Sequence, residues 1–236
     1  CGSTDAAHQS GVKMLGNIFF PPYAFGGNSA WVRQMLTRVD GKFIYAKKLF
    51  EIAKYFGFDG WFINEETGGG SIDQWAEFIR QFNEYADAEG YKDMEIQWYQ
   101  AHSGPNTRIL KSHKNTSHFL DYGRVNDYRH MASTLNCTEE ETMQKIYGGI
   151  EAVQQGMTGY GSQLRNVFKR EKHVGSVALF CPEEHIWKDR VRHLLDTPRD
   201  NGEEAYAATT KVFENERTVW VNRNGNPADI SNSGSQ

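Results

Sequence analysis

Apolar residues along this chain alternate between two kinds of pattern. Short continuous runs read as strands buried on both faces, and they fall at residues 12–20 (VKMLGNIFF), 58–64 (FDGWFIN), 94–99 (MEIQWY), 116–121 (TSHFLD), 145–153 (KIYGGIEAV) and 174–181 (VGSVALFC). Between them the apolar positions recur at helical spacing. Leu49, Ile52, Ala53 and Phe56 share one predicted helix face; Trp75, Phe78, Ile79, Phe82 and Tyr85 share another; Trp187, Val191, Leu194 and Leu195 suit a third. Pro21-Pro22 ends the first run, because proline cannot pair in a sheet interior. Thr138 and Glu141 have capping-box spacing and open a short helix.

Strands apolar on both faces, alternating with helices, predict an α/β fold with a parallel sheet and helical crossovers. A doubly wound nucleotide fold would place a glycine-rich phosphate turn straight after its first strand. Here that strand runs into FFPPYAFGG, which lacks the spacing. The expectation is therefore a (β/α)8 TIM barrel, incomplete in this chain, with about six of its strands visible. Residues 1–221 read as a catalytic barrel and 222–236 (NRNGNPADISNSGSQ) as a polar, flexible tail. The remaining strands are expected from chain outside these 236 residues.

Composition narrows the function classes. Hydrophobic residues are 39% and charged residues 24%, the mix of a globular domain. With 26 Lys plus Arg against 30 Asp plus Glu, the net charge is -4, and the basic stripe of a duplex nucleic-acid binder is absent. No apolar run approaches the roughly 20 residues that span a bilayer, and the start of the chain does not read as a signal peptide. Three cysteines form no CxxC pair and leave the redox compartment open. Aromatics at 13% suit a groove lined with rings.

The chemistry concentrates in residues 57–68 (GFDGWFINEETG), where an apolar strand changes abruptly to Asn64, Glu65, Glu66 and a glycine run. In a barrel, polar side chains at a strand's C-terminal end sit where catalytic groups are placed. Strand alternation points Asn64 and Glu66 the same way, with Cα atoms about 6.6 Å apart at a rise of about 3.3 Å per residue. The competing reading is a turn-capping Asn beside solvated glutamates.

An Asn paired with a Glu restricts the mechanism. Glycosidases of the usual kinds need two carboxylates. Asn has no charge and negligible basicity, but its amide can orient a neighbouring group. A sugar with a 2-acetamido group brings its own nucleophile, the acetyl oxygen, which attacks C1 to give an oxazolinium or oxazoline. Glu66 would then protonate the leaving oxygen and later deprotonate water. The pair points to substrate-assisted cleavage of an N-acetylhexosaminide.

Residues 59–67 (DGWFINEET) resemble the DGWFINxET motif of glycoside hydrolase family 85, the endo-β-N-acetylglucosaminidases. The resemblance extends to residues 5–16 (DAAHQSGVKMLG), to Phe19-Phe20-Pro21-Pro22 with Gly26-Gly27, to Trp98-Tyr99 and to Phe119-Leu120-Asp121-Tyr122, covering roughly residues 5 to 185. It implies cleavage between the two core N-acetylglucosamines of N-linked glycans on glycoproteins or glycopeptides, without a cofactor or metal. By position, Glu66 matches the general acid/base, Asn64 the residue orienting the acetamide, and Tyr99 a tyrosine hydrogen-bonded near it. Trp61, Trp98, Phe19, Phe25 and Tyr122 are candidates for stacking on sugar or shaping the groove, against the alternative that each simply packs. Gln100 departs from the family's usual Asp, and a tryptophan after the strand is not evident in residues 101–106. These departures bear on acceptor contacts and glycan preference. The substrate favours a secreted, periplasmic or cell-surface location, and the cytoplasm stays open.

Other signals carry less. Eight histidines form no HExxH-like spacing; His102, His113 and His118 read as surface residues. Residues 156–161 (GMTGYG) have the wrong order for a dinucleotide turn and suit a loop. Asn115-Thr116-Ser117 and Asn136-Cys137-Thr138 are N-glycosylation sequons. Two alternatives stand beside the main reading. A family 18 chitinase-like hydrolase would want Asp where Phe62 and Asn64 stand, and an idle carbohydrate-binding relative would bind without turnover.

Overall fold

The computed structural model describes residues 2–101, 104–122, 132–133, 135–151, 168–169, 172–173, 175–181, 202–204, 206–207, 210 and 214. The helix expected at residues 187–195, the loop at 156–161, His102 and the tail at 222–236 lie outside the described residues. The chain divides into two compact units, Cys1–Phe119 and Leu120–Gln236.

The first unit opens with α1 (Gly2–Gln9) and β1 (Gly16–Phe20), followed by a 3-10 turn (Tyr23–Phe25) and α2 (Ser29–Met35). A two-residue hairpin, β2 (Arg38–Val39) and β3 (Lys42–Phe43), leads into α3 (Ile44–Phe56) and β4 (Gly60–Glu65). Next come α4 (Ile72–Ala88), β5 (Glu95–Gln100), α5 (Thr107–Leu110) and β6 (Thr116–Leu120), the last reaching the unit boundary. β1, β4, β5 and β6 pair in parallel, in chain order. In the second unit α6 (Glu139–Lys145) feeds β7 (Ile146–Glu151); β8 (Phe168–Lys169) and β9 (Lys172–His173) form an antiparallel hairpin, and β10 (Ser176–Phe180) pairs in parallel with β7. The α/β class read from the sequence is the class observed, and the six apolar runs coincide with the six parallel-paired strands among the described residues.

The core of the first unit lies between the strands and the crossover helices. Leu49, Phe50 and Ala53 of α3 and Trp75, Phe78, Ile79 and Phe82 of α4 close over Trp61, Ile63, Ile96 and Trp98. α4 is positioned by a capping box in which Ser71 Oγ accepts from the Gln74 N–H and the Gln74 side chain accepts from the Ser71 N–H. The Gln81 amide, buried on the same helix, accepts from the Phe43 N–H at 2.8 Å and donates to Gly41 O at 3.2 Å, which fixes the hairpin. The capping box of Thr138 and Glu141 forms at the start of α6 as its spacing predicts. No helix among the described residues is long and apolar enough to cross a membrane.

Three expectations are corrected. The first strand begins at Gly16 rather than Val12, because Gly11 turns through a left-handed conformation after α1, and Val12 stays exposed. The α3 face is rotated: Ala46, Leu49, Phe50 and Ala53 are buried while Ile52 and Phe56 are exposed, since Phe50 fits beneath Tyr91. His118 is not a surface residue; it is 1% exposed on β6, beside Trp98 in register.

Asp59 ties the unit together at the N-terminal ends of its strands. Its Oδ2 accepts from the Met14 N–H at 2.7 Å and lies 2.8 Å from His8 Nε2. Its backbone N–H donates to Met14 O, and its carbonyl accepts from the Glu95 N–H, both at 2.8 Å. At the next residue a side chain has no room: a Cβ on Gly60 would lie 1.8 Å from Glu95 O, and φ is +139°.

Burial of the neutral His118 ring lowers its pKa to about 4, with its contact to Phe119 O opposing weakly. The sign follows from linkage. Above pH 6.5 both folded and unfolded states leave the ring neutral, whereas between about 6.5 and 4 only the unfolded chain takes the proton, so stability falls with pH through that window. Denaturant unfolding should show the wild type losing about 2 kcal/mol more than His118→Gln between pH 7.5 and pH 5.

Candidate active site

The alternation of β4 separates two sets of side chains. Trp61, Ile63 and Glu65 are buried on the helix-facing side, whereas Phe62 and Asn64 are part-exposed on the other. The Glu66 N–H donates to Phe20 O at 2.9 Å, extending the β1–β4 ladder one step past the strand. Glu66, one residue beyond β4, is part-exposed. The turn following it is held by the Thr67 hydroxyl, which donates to Pro21 O in the loop after β1.

Register then sets the neighbours. Phe19 of β1 and Tyr99 of β5 flank Asn64 as Cα partners, so Phe19, Asn64 and Tyr99 form one row across three strands. The rings of Phe62, Tyr99 and Phe119 cluster beside Asn64, with centroids 6.4 Å (Phe62–Tyr99), 5.8 Å (Phe62–Phe119) and 5.5 Å (Tyr99–Phe119) apart. Sequence reasoning misses both Phe62 and Phe119 as site residues, although Phe62 stands two residues before Asn64 in the same alternation.

The electrostatics of the polar groups differ. Asn64 Oδ1 is buried and has no hydrogen-bond partner among the described residues. It is an acceptor without a donor, which in a folded interior calls for an explanation. Glu65 is 1% exposed and points into the core side. Burial pushes its carboxyl up, against the opposing N–H bonds from Gly68 and Thr67, with the charge of Glu66 adding to the rise.

The predicted sugar contacts separate into two groups. Phe19 is 51% exposed beside Asn64, and Phe25 is 80% exposed on the turn after β1. Trp98, by contrast, is 0% exposed and packs on Trp75 with centroids 5.2 Å apart. Trp61 is 7% exposed and its Nε1–H donates to Leu49 O at 3.0 Å. Both tryptophans stand on the helix-facing side of their strands, where a ring cannot meet a sugar on the opposite face, so they are corrected to core residues. Tyr122 belongs to the second unit and its ring packs on Phe180, centroids 5.9 Å apart. A cavity of about 410 Å³ lined by His8, Lys54, Asp59, Tyr91 and Met94 opens instead at the N-terminal ends of β4 and β5. Its polar groups are already committed, His8 to Asp59 and Lys54 to Glu89.

Comparison with known proteins matches the profile of glycosyl hydrolase family 85 over residues 1–236. The chain belongs to glycosyl hydrolase family 85. Two Arabidopsis thaliana proteins are similar to part of it: cytosolic endo-beta-N-acetylglucosaminidase 2, 41% identical over 64 residues, and cytosolic endo-beta-N-acetylglucosaminidase 1, 40% identical over 64 residues. Each match covers 27% of this chain and 9% of the plant protein. Family 85 membership displaces the chitinase-like family 18 alternative, whose Asp residues are in any case missing at Phe62 and Asn64.

The division of aromatics has a measurable consequence for this family 85 chain. Trp98→Ala should cost about 3–5 kcal/mol in denaturant unfolding, the cost of emptying a buried ring. Phe25→Ala should stay within about 0.5 kcal/mol of wild type, as at an exposed position.

Proposed function

We propose that this chain forms the catalytic portion, residues 1–221, of an endo-β-N-acetylglucosaminidase that cuts the β-1,4 bond between the two core N-acetylglucosamines of N-linked glycans. The reaction proceeds with retention at C1, through an oxazoline ring that keeps the acetamide proton on its nitrogen, as the oxazolinium. One observation carries the reading: a buried amide oxygen with no donor of its own, Asn64 Oδ1, two residues before Glu66 at the C-terminal end of β4. Such an acceptor suits the N–H of a 2-acetamido group.

In the first step Asn64 accepts a hydrogen bond from the acetamide N–H, which draws the amide towards its iminol-like form and turns the acetyl oxygen on C1. The oxygen–C1 bond forms as the bond from C1 to the leaving N-acetylglucosamine breaks, and Glu66 gives its proton to the departing oxygen. In the second step the Glu66 carboxylate takes a proton from water, the hydroxide oxygen bonds C1, and the ring opens to restore the acetamide. Tyr99, flanking Asn64 in register and resting on Phe62 and Phe119, bounds the space beside the acetamide. Phe19 and Phe25 offer exposed rings for sugar faces. The names of the two plant relatives, endo-beta-N-acetylglucosaminidases, support the same substrate.

The two half-reactions separate the roles. Glu66→Gln should lose glycopeptide hydrolysis by on the order of 100- to 10,000-fold, the range for removing a general acid/base. Asn64→Ala should hydrolyse glycopeptide poorly and still transfer a preformed glycan oxazoline to an N-acetylglucosamine acceptor, while Glu66→Gln fails at both. Chromatography of the products reads both activities. Equal loss of both in a folded Asn64→Ala would mean that Asn64 does not act by orienting the acetamide. Glycopeptide binding without turnover by the wild type would mark an idle carbohydrate-binding relative.

A further inference from the structure

The acid in this scheme sits on a segment with little rigidity of its own. Glu66 is one residue beyond β4, and Gly68, Gly69 and Gly70 follow it, with φ of +77° at Gly68 and +110° at Gly69. Three successive glycines leave the chain free to move the acid unless something else fixes the turn. Upstream, the bond from the Glu66 N–H to Phe20 O holds one side. Downstream, the fixing groups converge on the neighbouring residue rather than on Glu66.

Glu65 breaks the pattern of its own face. The other two residues on that side of β4, Trp61 and Ile63, are apolar and packed, yet Glu65 is buried to 1% exposure. Its Oε1 accepts from the Gly68 N–H, the Thr67 N–H also bonds the carboxylate, and Gln100 Nε2 lies 3.5 Å from Oε2. Glu65 and Gln100 are Cα partners across β4 and β5. A buried carboxylate is costly unless its oxygens are occupied, and here they are occupied by the backbone of the glycine turn and by the next strand. An apolar residue would fill the space without collecting these donors.

We propose that Glu65 is the positioning residue for Glu66: its carboxylate clamps the turn at Thr67 and Gly68 to β5 through Gln100 and so fixes the acid over the face of Asn64. The inference rests on Glu66 being the general acid. Gln100 is then the partner of Glu65 and has no part in the chemistry. Burial raises the Glu65 carboxyl, so it holds its proton to higher pH than a free carboxyl, and its bonds to the turn are strongest once that proton has left.

The test compares two substrates that differ only in leaving group, a glycopeptide and an aryl glycoside of the same glycan whose phenolate departs without a proton. Glu65→Leu should lower kcat on the glycopeptide by on the order of 100-fold with KM within about 3-fold, the effect of a displaced catalytic group. On the aryl glycoside the loss in kcat/KM, which reads the steps up to release of the phenolate and not the later use of Glu66 as base, should shrink to about 10-fold or less, because the acid is no longer needed. Glu66→Gln, run alongside, should show the same dependence on leaving group; if it keeps full activity, the assignment of the acid fails instead. Should Glu65→Leu not fold, the isosteric set decides. Glu65→Gln sets its amide N–H groups against those of Gln100 and should lower kcat on the glycopeptide, and the exchanged pair Glu65→Gln with Gln100→Glu should restore most of it. Wild-type kcat in a folded Glu65→Leu, equal losses on both substrates, or no recovery in the exchanged pair would each overturn the proposal.

Discussion

A two-residue period carried through the parallel register of β1, β4 and β5 governs both the stability and the chemistry of this chain. It sends Trp61, Ile63 and Trp98 under α3 and α4, where they build the core. The same period brings Phe19, Asn64 and Tyr99 into one row on the opposite face. A slip of one residue would exchange the two sets, placing the tryptophans in solvent and the carboxyl in the core. Burial of the apolar set is thus what holds the polar set in place.

The residues 59–67 divide along the same line. Asp59 and Gly60 are structural: one joins α1, the approach to β1 and the start of β5, and the other lets β5 come close. Trp61 and Ile63 are packing. Phe62 and Asn64 are part-exposed on the other side of the strand, where the rings of Phe62, Tyr99 and Phe119 cluster. Glu65 belongs to neither set, a carboxylate placed in the core for the turn it holds. Loss of activity on changing one of these residues therefore has different meanings at Asp59, at Glu65 and at Glu66.

Much of this was legible in the sequence because strands and helices carry distinct periods. The six apolar runs and the capping box at Thr138 follow from spacing alone. Aromatic side chains were the weak point. Trp61 and Trp98 stand beside polar, chemically suggestive residues, but odd and even positions of a strand face different surroundings, and the sequence does not mark which surroundings are dry. The rotation of α3 has the same origin: Phe50 and Phe56 are equally apolar, and only Phe50 joins the buried core cluster while Phe56 stays exposed. His118 looked like a surface residue because histidine is often exposed, yet its place in register with Trp98 puts it in the interior. The role of Glu65 rests on backbone N–H groups of a turn, which no side-chain pattern reveals.

The bond that is cut decides whether this chain acts on the glycan core. Mass spectrometry of an N-glycosylated glycoprotein before and after treatment reads it directly. Cleavage between the two core N-acetylglucosamines leaves a single N-acetylglucosamine on each asparagine and releases a glycan that begins with the other. Asparagines carrying both sugars, or carrying none after release of the whole glycan, would contradict it.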